Sequence, residues 1–136
     1  MALVLDASVT ASWYFPDEDN PAAYRALQIV RREGGLVPLH WWFELRNAFL
    51  IGERRSRLST FDTAEALKVL DRLRIEYAPL PEHPALFALA RKHRLTFYDA
   101  AYLELAQREN IPLATLDDDL AAAARAEDVR LIGSTE

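Results

Sequence analysis

Apolar positions along the chain change their period several times. Ala2-Leu3-Val4-Leu5 is a continuous apolar run that stops at Asp6, which is how a strand buried on both faces reads. Val9 to Phe15 is apolar and aromatic and predicts a helix, broken by Pro16-Asp17-Glu18-Asp19. Asn20-Pro21 then supplies an N-cap and a first-turn proline. The helix they open buries Tyr24, Leu27 and Val30 or their neighbours and ends at Gly34-Gly35. Leu36-Val37-Pro38 is a second, very short strand. From Trp41 to Arg55 the spacing of Trp41, Leu45 and Phe49, with Ala48 and Ile51, is helical. Ser59 or Thr60 caps the next helix, whose inner stripe is Ala64, Leu67, Leu70 and Leu73. Ile75 to Ala78 reads as a third strand, stopped by Pro79 and Pro81, and Pro84 to Arg94 as helix. Thr96 caps a helix running to Asn110, Ile111 to Thr115 is a fourth strand, Asp117 to Ala126 an Ala-rich helix and Val129 to Ile132 a fifth strand.

Strands alternating with helices imply an α/β fold: a short-stranded, mostly parallel five-stranded sheet covered by helices on both faces. With 136 residues and no repeat, linker or low-complexity tract, the expectation is one domain spanning 1–136.

Composition narrows the function classes. At 51% hydrophobic and 27% charged residues the chain is neither disordered nor a membrane protein. No apolar run approaches the roughly 20 residues a bilayer span needs. The N-terminus meets Asp6 without a basic leader, so a cytoplasmic protein is expected. The absence of cysteine removes disulfides, zinc ribbons, iron–sulfur clusters and thiol nucleophiles. A net charge of −5 argues against nucleic-acid binding by a broadly basic face. It does not exclude a nuclease, because four carboxylates gathered at a metal site would leave the remaining surface nearly neutral.

Four acids hold equivalent places in the pattern. Asp6 ends the first strand, and Glu44 lies near the start of the helix after the second. Asp99 is in the first turn of the helix that feeds the fourth strand, and Asp117 follows that strand. In a parallel α/β sheet the helix starts share an edge with the strand carboxyl ends, where such sheets bind ligands. Taken singly, Asp99 and Asp117 read more readily as helix caps, and Asp6 as a cap for a helix starting near Ser8. Glu44 sits among Trp41, Trp42, Phe43 and Leu45 with no Lys or Arg at i±4, so its carboxylate needs another partner. Four carboxylates at one edge repel each other unless a cation neutralises them. An all-oxygen donor set selects Mg²⁺ or Mn²⁺ over zinc, and such an edge points to phosphoryl chemistry. No GxxxxGK[ST] loop is present, so no nucleotide cofactor is expected.

Ser8, Asn47 and Thr115 lie two, three and two positions from Asp6, Glu44 and Asp117. They are candidates to orient the acids, with local capping as the competing reading. Arg54, Arg55 and Arg57, and Arg91, Lys92, His93 and Arg94, form basic clusters that read first as solvated helix ends and second as phosphate contacts. Trp13-Tyr14-Phe15 and Trp41-Trp42-Phe43 cannot all face one core. Partial burial or a protein–protein surface accounts for them.

Val4-Leu5-Asp6-Ala7-Ser8-Val9, Glu44-Leu45-Arg46-Asn47-Ala48, Tyr98-Asp99-Ala100-Ala101-Tyr102-Leu103 and Ala114-Thr115-Leu116-Asp117 resemble, in order, the four acidic motifs of PIN-domain nucleases. The nearest match is to VapC-type toxins of toxin–antitoxin pairs, over essentially the whole chain to Ile132. The resemblance implies a three-layer α/β/α fold and a Mg²⁺- or Mn²⁺-dependent endoribonuclease. It also implies inhibition by a cognate antitoxin and homodimerisation. Attack by a metal-activated water, in line with the leaving 3′ oxygen, would leave 5′-phosphate and 3′-hydroxyl ends. Carried over by position, Asp6 and Asp99 are direct metal ligands, and Asp117 ligates directly or through water. Glu44 holds a second metal or orients the attacking water, and Asp119 is a candidate fifth acid. A housekeeping RNA-processing nuclease of the same family, or a non-catalytic RNA- or protein-binding module of the same fold, remain alternatives. A receiver domain fails for want of an acidic pair at Asp6 and of any Lys after Lys92. A haloacid-dehalogenase-like phosphatase fails because Ser8 stands where a second Asp is required.

Overall fold

A computed structural model describes residues 2–133. The strands are β1 (Leu3–Leu5), β2 (Gly35–Val37), β3 (Ile75–Tyr77) and β4 (Leu113–Ala114). The helices are α1 (Ala7–Ser12), α2 (Pro21–Glu33), α3 (Trp41–Arg54), α4 (Thr60–Leu70), α5 (His83–His93), α6 (Phe97–Glu109) and α7 (Asp118–Ala126). The sheet order is β3-β2-β1-β4, and every pairing is parallel. Right-handed crossovers from β1 to β2 and from β2 to β3 put α1–α4 on one face. The return from β3 to β4 runs the other way and puts α5 and α6 on the opposite face, with α7 packed on α6. The result is three layers, α/β/α.

The predicted fifth strand is corrected. Around Leu131 the chain makes a single parallel bridge to Leu113, through Leu113 N–H to the Arg130 carbonyl (2.8 Å) and Ile132 N–H to the Leu113 carbonyl (3.0 Å). β4 is only two residues long, so it offers its outer neighbour no ladder to extend, and among the described residues the sheet has four strands.

Local signals act as read at most helix starts. Asn20 Oδ1 accepts from Ala23 N–H at 3.0 Å with Pro21 opening α2, Ser59 and Asp62 close a reciprocal capping box, and Thr96 Oγ1 accepts from Asp99 N–H at 3.1 Å. Two faces differ in detail. α2 turns Ala23, Ala26, Ile29 and Val30 inward and leaves Tyr24 exposed. α4 buries Ala66 and Leu70, while Ala64 is exposed. Small residues on α2's inner face bring the helix close to the sheet, and a tyrosine there would hold it off. The first helix stops at Ser12, before the aromatic triplet; Phe15 is buried, and Trp13 and Tyr14 are partly covered.

β1 is the most buried strand, with Leu3, Val4 and Leu5 all at 0% exposure. It lies between β2 and β4, where successive connections leave in opposite directions. This switch point in an open parallel sheet opens a crevice at the strand carboxyl ends.

Candidate active site

Asp6 leaves β1 at that crevice. Its N–H donates to the Ala114 carbonyl (3.0 Å), extending the β1–β4 register and placing Thr115 beside it. Asp6 Oδ2 accepts from Thr115 Oγ1 at 2.6 Å and from Ser8 Oγ at 3.0 Å, and Oδ1 has only a long contact to Ser8 N–H at 3.4 Å. Ser8 Oγ in turn accepts from Leu116 N–H at 3.2 Å, and Thr115 Oγ1 from Asp117 N–H at 3.1 Å. Asp117 caps α7, its Oδ1 accepting from Leu120 N–H at 2.8 Å. Ser8 and Thr115 therefore tie the β1 and β4 ends together while holding one edge of the Asp6 carboxylate.

Glu44 reaches the same crevice from the first turn of α3. Its Oε1 accepts from the Tyr102 hydroxyl at 2.5 Å. The His40 Nε2 lies 3.4 Å from the same oxygen, without hydrogen-bond geometry. Asp99 comes from the first turn of α6, where its N–H donates to the N-cap Thr96 Oγ1 at 3.1 Å. Among the described residues no Lys or Arg forms an ion pair with Asp6, Glu44, Asp99 or Asp117.

The electrostatics record the crowding. Burial pushes the Asp6 carboxyl up from its ordinary value, against the Thr115 and Ser8 hydrogen bonds, and the charge of Asp117 adds to the rise. Burial raises Glu44 too, against the Tyr102 bond, with Asp6 and Asp99 adding to it. Asp99 is raised by burial and then by Asp117, Asp6 and, least, Asp119. The four acids thus stand within electrostatic reach of one another, with Asp119 at the margin and exposed. No three His, Asp or Glu side chains among the described residues are spaced to hold a metal ion as they stand. Uncompensated like charges hold each other apart, and bonded hydroxyls fix one side of Asp6 and Glu44.

The donor set suits a hard divalent cation. All candidate ligands are carboxylate oxygens, and Asp117 Oδ2 and Glu44 Oε2 have no hydrogen-bond donor among the described residues.

Other sequence candidates fall elsewhere. Asn47 is exposed and bonds none of the acids. Arg57 pairs with Asp17 (2.8 Å) and Glu18 (2.7 Å) and stacks over Phe15. Lys92 and His93 clamp Glu127 at 2.8 and 2.6 Å, and Arg91 lies over Phe87. These side chains brace loops and helix ends away from the acids. Trp41 is buried, with its Nε1–H donating to Thr10 Oγ1 at 3.3 Å, whereas Phe43 is 70% exposed.

Two residues at the site escape the sequence reading. His40 is at i−4 from Glu44, but a partner search limited to Lys and Arg passes over it. Its ring packs against Tyr98 and Tyr102, and burial holds its pKa below the ordinary value. Tyr102 lies three residues past Asp99 on an otherwise apolar face, where nothing in the sequence separates it from a core aromatic.

Comparison with known proteins gives the family and the fold. Residues 3–126 match the family model of the PIN domain. Ribonuclease VapC3 of Pyrobaculum aerophilum is 35% identical over 129 residues, covering 89% of this chain and 93% of that protein. Among solved structures, PAE2754 from Pyrobaculum aerophilum aligns with a TM-score of 0.73 at 23% identity, over 97% of this chain and 90% of that one. FitAcB from Neisseria gonorrhoeae aligns with a TM-score of 0.67 at 18% identity, over 98% of each chain. At those identities the structural likeness bears on the fold.

Proposed function

The chain belongs to the PIN-domain family, and on that premise we propose that it is an endoribonuclease acting as the toxin of a toxin–antitoxin pair. The observation that carries the reading is the meeting of Asp6, Glu44, Asp99 and Asp117. They come from four separate places in the chain to the β1–β4 switch point, and among the described residues no Lys or Arg forms an ion pair with them. The relative named a ribonuclease supports RNA as the substrate class.

In this reading Asp6, Asp99 and Asp117 hold Mg²⁺ or Mn²⁺, with Glu44 either sharing it or orienting the attacking water. When bound, the cation offsets phosphate charge and makes water a better nucleophile at neutral pH. The chain's own part is to hold the carboxylates. Thr115 and Ser8 fix Asp6, the α7 N-terminus fixes Asp117, and the Thr96 cap fixes the backbone that carries Asp99. The raised pKa values of Asp6, Glu44 and Asp99 reflect acids that gain from a cation replacing the missing counter-charge.

The same charge explains inhibition. An antitoxin segment that places an arginine among the acids would compete with the cation, because a guanidinium pairs well with carboxylates. Trp42, Phe43, Leu50 and Phe61 are exposed apolar side chains available to an antitoxin or to a second copy in a homodimer. No described helix is long and apolar enough to cross a membrane. In this reading the chain acts as one domain in the cytoplasm.

The test is cleavage of an end-labelled small-RNA pool by wild type and the double variant Asp6→Asn/Asp99→Asn, with Mn²⁺, Mg²⁺ or EDTA. Discrete metal-dependent cuts with 5′-phosphate ends, absent in the variant, are expected. Equal behaviour of the two proteins, or cutting insensitive to EDTA, would overturn the nuclease in favour of a binding module.

A further inference from the structure

The Tyr102 hydroxyl sits where three parts of the site meet. It belongs to α6, it donates to Glu44 Oε1 of α3 at 2.5 Å, and it accepts from the Ala7 N–H that opens α1 at 3.4 Å. Tyr102 has 0% exposure, so its ring cannot swing away, whereas the Glu44 side chain is 37% exposed. Without an anchor, a glutamate with three side-chain torsions at a crevice mouth would sample many rotamers. The hydroxyl removes that freedom at one oxygen. His40 walls the same oxygen at 3.4 Å, and no donor among the described residues engages Oε2.

We propose that Tyr102 is a positioning residue for Glu44. It fixes Oε1 so that Oε2 alone is presented to the divalent cation or to the water that attacks phosphorus. The inference rests on the metal-nuclease reading and adds to it a residue of the third motif that is not one of the four acids. Outer partners that orient metal-binding carboxylates typically matter by about 10–100-fold in affinity or activity. The hydroxyl also joins Glu44 to the start of α1, immediately after Asp6, so one buried group couples two of the acids.

Tyr102→Phe tests this, because it keeps the ring in the core and removes only the hydroxyl. The readouts are Mn²⁺ binding by calorimetry without RNA, thermal unfolding, and kcat and KM for cleavage. The variant is expected to fold, to bind Mn²⁺ about 10–100-fold more weakly or to lose kcat by that factor, with KM for RNA little changed. In a Glu44→Gln background the same change should cost little more, since the two residues act through one bond. Wild-type Mn²⁺ affinity and kcat in Tyr102→Phe, or a full additional loss in the double variant, would overturn the positioning role. Glu44→Asp gives a second route that leaves α6 intact, by drawing the carboxylate back from the hydroxyl. If Tyr102→Phe does not fold, an unchanged Mn²⁺ affinity and kcat in Glu44→Asp would overturn the proposal. If wild type binds no Mn²⁺ and cleaves no RNA, the nuclease reading itself fails and this inference with it. Wild-type binding with an indifferent Tyr102→Phe defeats the inference alone.

Discussion

Thr115 Oγ1 donates to Asp6 Oδ2 at 2.6 Å, across 109 positions of sequence. The bond pins the end of β4 to the end of β1 and turns two strand termini into one wall of the crevice. Thr115 Oγ1 also accepts the Asp117 N–H at 3.1 Å, so a single hydroxyl serves two of the four acids. Thr115→Val is expected to cut cleavage and to cost about 1–3 kcal/mol of stability. Thr115→Ser, which keeps the oxygen, should restore most activity. Parallel melts and cleavage rates check both, and full activity in the valine variant would remove Thr115 from the site.

Asp6→Asn and Asp99→Asn should each bring cleavage to background without unfolding the protein. The asparagine oxygen can still accept the Ser8 and Thr115 bonds, and each change relieves like-charge repulsion recorded in the raised pKa values. Melting temperatures at or above wild type, with no product, are the expected pair of results. A loss of fold would mean the carboxylate serves structure first.

Burial and neighbouring acids raise Asp6 and Asp99 from 3.8 and Glu44 from 4.5. A carboxyl with a higher pKa folded than unfolded binds more protons in the folded state between the two values. Its contribution is therefore favourable at and below the ordinary value and is lost as pH rises through the raised one. Without added metal, stability relative to Asp6→Asn should fall as pH climbs through that interval. Mn²⁺ competes for the same oxygens, so the rise in Tm it produces should grow with pH. Melts across pH 4 to 8, with EDTA or Mn²⁺, test this, and a pH-independent rise would speak against these acids as ligands.

Glu127 shows the opposite sign. Lys92 and His93 hold its carboxyl down from 4.5 to about 2. That contribution is present above the ordinary value and fades as pH falls toward about 2. Glu127→Gln should lower stability at neutral pH, and its difference from wild type should shrink on acidification. Cleavage at neutral pH should be unaffected, because the clamp joins the C-terminal ends of α5 and α7, away from the acids. An activity loss would tie this end of the molecule to the site.

Gly52 is buried in α3, and a Cβ there would meet the Phe15 ring at 2.4 and 2.7 Å. Its helical backbone needs no glycine, so the requirement is space. Gly52→Ala should destabilise by about 1–3 kcal/mol despite the better helix propensity of alanine. Chemical denaturation measures the sign, and a stabilised variant would show that Phe15 can move aside.

Much of this molecule was legible in one dimension. Asn20-Pro21, Ser59, Thr96 and Asp117 open helices where the sequence places them, because caps act through bonds spanning three residues. The alternation of strand and helix was enough to bring four acids to one edge, since parallel connection puts helix starts beside strand ends. Tertiary structure decided what depends on distant partners. β4 has two residues rather than the five, 111–115, read as strand, so the fifth segment makes one bridge. The face that α2 buries follows from how closely it packs. Glu44 needed a partner, as its apolar neighbours required, but that partner is Tyr102, 58 positions away. A core tyrosine and an anchoring tyrosine look alike until the fold shows what the hydroxyl meets.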